Sequence, residues 1–161
     1  LCLGGTRPKK RLDLVLAATA EHGIPVVCTG PATPESSALA ERYAHLTLTG
    51  VIEPHRIPAL LRAAGCAAIL STSEGFGLPA LEALAVGTPA LVTRDSVQAE
   101  TAAGFGFEVN TDDPEAIATA IAAAFELDPG DARLSGGIAH ARRFTWAATA
   151  EALVSHWRSL L

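Results

Sequence analysis

Methionine is absent from this 161-residue chain, and cysteine, tryptophan and tyrosine are scarce, at three, two and one residues. Cys2, Cys28 and Cys66 are too few and too irregularly spaced for a disulfide framework or a zinc site, which fits a reducing compartment. No apolar run approaches the roughly 18 residues that a bilayer span requires. Residues 1–11 lack the ordered segments of a signal peptide. A cytoplasmic location without a transmembrane segment is therefore expected. Basic residues are in the minority, 12 Lys and Arg against 17 Asp and Glu, for a net charge of -5. That balance argues against a nucleic-acid partner, because neutralising phosphates takes a strongly basic face. The opening Leu1 and the missing methionine suggest a domain of a longer polypeptide. What is present is 49% apolar, enough for one globular domain with a full core.

Short apolar runs alternate with longer amphipathic ones. `LCLGG`, `IPVVCTG`, `LTLTG`, `CAAILST`, `TPALVT` and a weaker `FGFEVN` read as six strands, and the continuous apolar character of `CAAILST` suits a sheet covered on both faces. Helical spacing appears over residues 8–22, 33–43, 54–64 and about 78–86. Asp113-Pro114-Glu115 opens a further helix to about residue 126. Residues 131–143 form a helix interrupted by Gly136-Gly137, and Thr145 caps a last one carrying Trp146 and Trp157. Strand and helix alternate throughout, which predicts an α/β fold with a doubly wound parallel sheet of about six strands. No repeat, linker or low-complexity tract interrupts it. Ligands of such sheets collect in the loops beyond the carboxyl ends of the strands, and two of those loops are chemically loaded.

The first is `STSEGFGLPALEALAVGTPAL`, residues 71–91. Gly75 and Gly77 allow close backbone approach, and the free N–H groups of Phe76, Gly77 and Leu78 at a helix start form an anion site suited to a diphosphate. Glu82 lies about one turn beyond Leu78, roughly 5–6 Å along the axis, within reach of ribose hydroxyls on that diphosphate. Glu74, on the other side of the glycine pair, could accept hydrogen bonds from a sugar on the far phosphate. The plain alternative makes Glu74 a dipole-favoured carboxylate and Glu82 a solvated helix position. Apolar neighbours on both sides of Glu82 favour burial beside a site. The second loop is `GGTRPKKRL`, with Arg7, Lys9, Lys10 and Arg11 in a row. Cations at a helix start oppose the macrodipole, so either an anion belongs among them or the turn is simply solvated.

`EGFGLPALEALAVGTPALV` resembles the signature of retaining glycosyltransferase family 4, with the GT-B fold: E-G-F-G-L-P, a second Glu eight residues after the first, then G-T-P. The similarity continues through `GVIEPHRIPALLRAAGCAAILSTS`, `TDDPEAIATAIAAAF` and the `FTW` helix, covering essentially the whole chain. It resembles the carboxyl-terminal half of such an enzyme, so that residues 1–161 would be the nucleotide-sugar (donor) binding domain, with the amino-terminal acceptor domain outside this chain. The resemblance implies that Glu74 contacts the donor sugar, Glu82 the ribose, and the backbone of Gly75, Phe76, Gly77 and Leu78 the diphosphate. Lys10 matches a family lysine on the departing phosphate. The arginine that accompanies it aligns with Gly5, so Arg7 is a candidate substitute, with Lys9 and Arg11 as alternatives. Val51 and Ile52 match residues that meet the base; strand-end packing explains them equally well.

The implied reaction is transfer of a sugar, with retention, from a nucleoside-diphosphate sugar to a glycan or lipid-linked acceptor held by the other domain. The isolated domain is then expected to bind donor and transfer nothing. The full-length protein is expected in the cytoplasm or peripheral to the inner face of the membrane. No cofactor is expected. The Asp-x-Asp of metal-dependent sugar transferases is missing, and Asp112-Asp113 reads as a helix start, so no metal is expected either; Lys10, an arginine and the helix-tip amides would stabilise the leaving phosphate. A non-catalytic nucleotide-sugar-binding or scaffold domain is the alternative. A dinucleotide oxidoreductase would need G-x-G-x-x-G after the first strand, which `LGGTRPKK` lacks. Glycogen and starch synthases, of the same architecture, usually read E-P-x-G where this chain has Glu74-Gly75-Phe76-Gly77. Glu100 also matches a family glutamate, of open role. His22, His45, His55, His140 and His156 share no metal-ligand spacing and read as surface or helix-end residues.

Overall fold

A computed structural model describes residues 1–160. Its strands are β1 (Val26–Cys28), β2 (Leu46–Leu48), β3 (Ala67–Ile69), β4 (Ala90–Thr93) and β5 (Phe107–Val109). All named pairs are parallel: β1 with β2, and β3 with β4 with β5. Residues 1–3 join the two groups. Cys2 bridges to Cys28 in parallel, its N–H donating to the Val27 carbonyl at 2.8 Å, while the Leu1 carbonyl accepts from Ala68 N–H at 2.8 Å. The expected sixth strand is thus present as a single bridge, in the position that places one run of strands side by side: β2, β1, residues 1–3, β3, β4, β5.

The helices are α1 (Leu12–Ala20), α2 (Pro34–Arg42), α3 (Ile57–Ala63), α4 (Leu78–Ala85), α5 (Val97–Ala102), α6 (Pro114–Phe125), α7 (Ala132–Ala141) and α8 (Trp146–Ser159). Strand residues alternate between two cores because successive side chains point to opposite faces. Ala68, Leu70 and Leu91 join Leu12, Leu16, Ile117 and Ile121 of α1 and α6. Ala67, Ile69, Ala90 and Val92 join Leu61, Ala80, Leu84 and Ala102 of α3, α4 and α5. Both faces are covered, which explains strands without polar alternation. Truncating a fully buried leucine here, Leu16 or Leu61, costs about 2–5 kcal/mol by the lost burial and the cavity left behind.

The helix caps follow the sequence. Thr33 and Ser36 form a reciprocal capping box on α2, and Asp113, Asp131 and Thr145 cap α6, α7 and α8. Two helical features depart from expectation. The segment 8–22 is broken: a 3-10 turn (Pro8–Lys10) ends at Arg11, which takes a left-handed conformation with φ 50° before α1 begins. α7 runs unbroken through Gly136-Gly137. A Cβ on Gly136 would stand 2.4 Å from the Phe105 ring and one on Gly137 3.0 Å from Leu84 Cδ2, so these glycines set the packing distance of α7 rather than end it. α8 buries no residue; Trp146 is 90% exposed and Trp157 59%, so neither tryptophan packs into this chain's core.

Candidate active site

The site assembles where the first loop meets the loop after β3. The Thr72 N–H donates to the Lys9 carbonyl at 2.9 Å, which pins the 3-10 turn to the start of the glycine loop. The Lys10 Nζ then donates to Glu74 Oε1 at 2.6 Å, with both side chains largely buried. Burial pushes the Glu74 carboxyl up, but hydrogen bonds from Lys10 and Ser71, and the charges of Lys10 and Lys9, outweigh it and hold the group below the ordinary carboxylate range. Glu74 is therefore an acceptor-only carboxylate at neutral pH.

The neighbouring cations divide their work. Arg11 turns to Asp13, Nε to Oδ1 at 3.4 Å. Lys9 is exposed. Arg7, also exposed, makes no ion pair among the described residues. It lines a cleft of about 510 Å³ with Gly4, Gly5, Thr6, Pro31 and Thr33. Gly5 is buried at the base of this cleft, its N–H on the Thr29 carbonyl.

The glycine loop is shaped from outside. Gly77, the residue before α4, has φ 88°, a conformation that only glycine adopts without strain, and a Cβ there would lie 2.9 Å from Gln98 Cα. No N–H of Phe76, Gly77 or Leu78 reaches an acceptor among the described residues. The loop is clamped by α5, which forms in the stretch `RDSVQAE` and beyond, where the sequence predicts only a loop after the fifth strand. Gln98 is buried and donates Nε2–H to the Ser71 carbonyl at 2.6 Å, and the Thr101 hydroxyl donates to the Phe76 carbonyl. The signal for α5 was Ser96, whose hydroxyl accepts from Ala99 N–H at 3.2 Å as an N-cap. Glu100 is exposed on this helix.

Glu82 differs from expectation. It is exposed on α4 rather than buried; partial desolvation pushes its carboxyl up from the ordinary value, with no cation or hydrogen bond offsetting the shift. Val51 is 76% exposed and Ile52 half-buried beyond β2, where the Gly50 carbonyl accepts from Gly30 N–H at 2.9 Å. The structure thus brings Lys10 and Glu74 into contact and sets Arg7 and Gly5 in the adjoining cleft, and no hydrogen bond or ion pair links Glu82, Val51 or Ile52 to them. His45 and His140 are not free surface residues: His45 meets the Thr19 hydroxyl at 3.1 Å and His140 the Thr101 carbonyl at 2.9 Å. Among the described residues no group of three His, Cys, Asp or Glu is placed to hold a metal ion. An apolar cavity of about 360 Å³, lined by Ile24, Pro25, Leu60 and Phe125, opens at the amino ends of the strands, away from the Lys10–Glu74 pair.

Solved structures share this architecture. Sucrose-phosphate synthase from Thermosynechococcus elongatus superposes with a TM-score of 0.80 at 26% identity, over 99% of this chain and 45% of its own. Anabaena HepE, in complex with UDP and glucose, superposes with a TM-score of 0.79 at 20% identity, over 99% of this chain and 48% of its own. The fold is that of the carboxyl-terminal domain of GT-B glycosyltransferases. The profile of the family "Glycosyl transferases group 1" matches residues 1–137, and the chain belongs to that family. D-inositol 3-phosphate glycosyltransferase from Segniliparus rotundus is 34% identical over 99% of this chain, and the protein of the same name from Corynebacterium glutamicum (strain R) is 35% identical over 81%. The aligned parts make up 39% and 34% of those two proteins' lengths.

Proposed function

We propose that this chain is the donor-binding half of a retaining, metal-independent glycosyltransferase that moves a sugar from a nucleoside-diphosphate sugar to an acceptor. The contact between Lys10 and Glu74 carries the reading. It places a cation and a carboxylate, from loops far apart in sequence, at the mouth of a glycine turn with unused amides. In the free protein the two neutralise each other. Donor entry divides them: Lys10 turns to the phosphate nearest the sugar, and Glu74 accepts from sugar hydroxyls. Arg7 and the amides of Phe76, Gly77 and Leu78 hold the rest of the diphosphate, Glu82 takes the ribose, and Val51 and Ile52 flank the base.

As the bond from the anomeric carbon to the phosphate oxygen breaks, negative charge grows on the departing diphosphate. Fixed donors already aimed at it stabilise that charge without reorganising. Lys10, Arg7 and the amides are the groups this chain offers for that task, in place of a metal ion. The acceptor, glycan or lipid-linked, would be read by the remainder of a longer cytoplasmic polypeptide, so the acceptor in the relatives' name is not carried over. Domain 1–161 alone would bind donor and transfer nothing.

A calorimetric panel of UDP, GDP and ADP and their glucose conjugates against this chain tests the reading. Binding of one nucleotide series is expected, and binding of none removes the proposed site. Binding without turnover by the full-length polypeptide would make the chain a non-catalytic sensor or scaffold.

A further inference from the structure

Phe76 sits between two glycines, so nothing in its immediate backbone fixes the loop that presents the amides of residues 76–78. Its ring is 47% exposed and is not anchored in the core. Two routes nevertheless tie Phe76 to one side chain on α7. Through the backbone, the Phe76 carbonyl accepts from the Thr101 hydroxyl, and the Thr101 carbonyl lies 2.9 Å from His140 Nε2. A carbonyl only accepts, so Nε2 carries the hydrogen. Through the rings, Phe76 meets Phe144 edge-on at 5.8 Å between centroids, and Phe144 meets His140 edge-on at 5.1 Å. Phe105 packs on the same imidazole at 5.5 Å. The contacts close a circuit that starts and ends on Phe76 and passes through His140.

We infer that His140 is a positioning residue for the donor loop: it orients Thr101 by hydrogen bonding and Phe144 by packing, and these together hold Phe76 with its amide and those of Gly77 and Leu78 aimed at the diphosphate. The inference rests on the reading of that loop as the diphosphate site. His140 touches no donor atom in this scheme. An aliphatic or solvated residue would complete neither route, and an aromatic ring without an N–H would complete only one.

The test uses the full-length polypeptide, with calorimetry against UDP, GDP and ADP and with thermal melting. His140→Phe keeps the ring and removes the N–H; His140→Gln keeps an N–H at similar reach and removes the ring. His140→Phe should melt within a few degrees of the parent yet bind the preferred diphosphate about tenfold more weakly, the loss expected for one hydrogen bond. His140→Gln should recover binding to within about threefold of the parent. Equal affinity of parent and His140→Phe overturns the inference alone, whereas a His140→Gln variant as weak as His140→Phe would show that the ring contact with Phe144 is needed as well as the hydrogen bond to Thr101. If His140→Phe does not fold, Thr101→Val carries the test, with the same tenfold loss expected and unchanged affinity counting against the proposal. A parent that binds none of the three nucleotides removes the site and this inference together.

Discussion

The ammonium of Lys10 lies 2.6 Å from the carboxylate of Glu74, across 64 residues of sequence. Two loops that leave different strands of one sheet meet there, because the opening segment lies between β1 and β3 and so delivers its loop beside the glycine turn. In the scheme proposed above, the pair is a site held ready: each charge is kept in place by the other until a ligand offers each a better partner.

If the full-length polypeptide carries the proposed transfer, replacing Lys10 with alanine should lower its turnover on the order of 10² to 10³ in kcat, as for loss of one preorganised anion donor. The fold should persist, since Lys10 contributes nothing to either hydrophobic cluster. Steady-state rates and a melting curve check both halves of the statement. Unchanged turnover would remove Lys10 from the mechanism.

Acid stability should report the same pair. The Glu74 carboxyl is held below its ordinary value in the fold, so the unfolded chain binds more protons through that interval. The resulting stabilisation is complete above the ordinary carboxylate value and is lost as pH falls through the depressed one. Glu35, lowered by its own backbone N–H and by Thr33, contributes in the same direction. Urea midpoints measured below about pH 5 should therefore fall less steeply for Glu74→Gln than for the parent, with the remaining slope due to Glu35 and other carboxylates. Parallel curves would show that the Lys10 contact does not persist in solution.

Gly77→Ala should destabilise the chain by about 1–3 kcal/mol, the cost of a side chain in a left-handed backbone. The added Cβ also meets the Gln98 backbone, so α5 must move away from the loop it clamps. Denaturation gives the first quantity. Weakened diphosphate binding in the still-folded fraction gives the second.

Arg7→Ala should leave stability unchanged, because the residue is exposed and unpaired among the described residues. Diphosphate affinity should fall by about fivefold to tenfold at low salt, the loss expected of an exposed charge contact on an anion. The difference between variant and parent should shrink as salt rises, since exposed charges are screened. A salt-independent difference, or none, would return the role of the missing family arginine to Lys9 or Arg11.

The parallel strands and the covering of the sheet on both faces were legible in the sequence for a simple reason, whereas the strand order came only from the structure. Strands buried on both faces must be apolar throughout, so `VVC`, `AAI` and `ALVT` announce themselves, and the turn and cap residues between them mark the helices. The glycine loop was legible as well, since two glycines before a helix and a proline in its first turn constrain the backbone wherever they occur. α5 was not. It is six residues long, and its buried residues include Gln98 and Thr101, which look like surface residues until the carbonyls of Ser71 and Phe76 are placed beside them. Gly136-Gly137 misled for the converse reason: a glycine pair weakens a lone helix, but the Phe105 ring and Leu84 repay it by packing where side chains would stand. Glu82 was expected to be buried on the strength of its apolar neighbours, yet those neighbours line the other faces of α4 and leave the carboxylate outside.

The sequence by itself determined the alternation of elements, the two faces of the sheet and the identity of the charged groups in each loop, because periodicity and turn chemistry are local. Which cation meets which carboxylate was decided only by the tertiary structure. Lys9, Lys10 and Arg11 are adjacent and chemically alike, and the left-handed break at Arg11, together with the hydrogen bond from Thr72 to Lys9, turns just one of them onto Glu74.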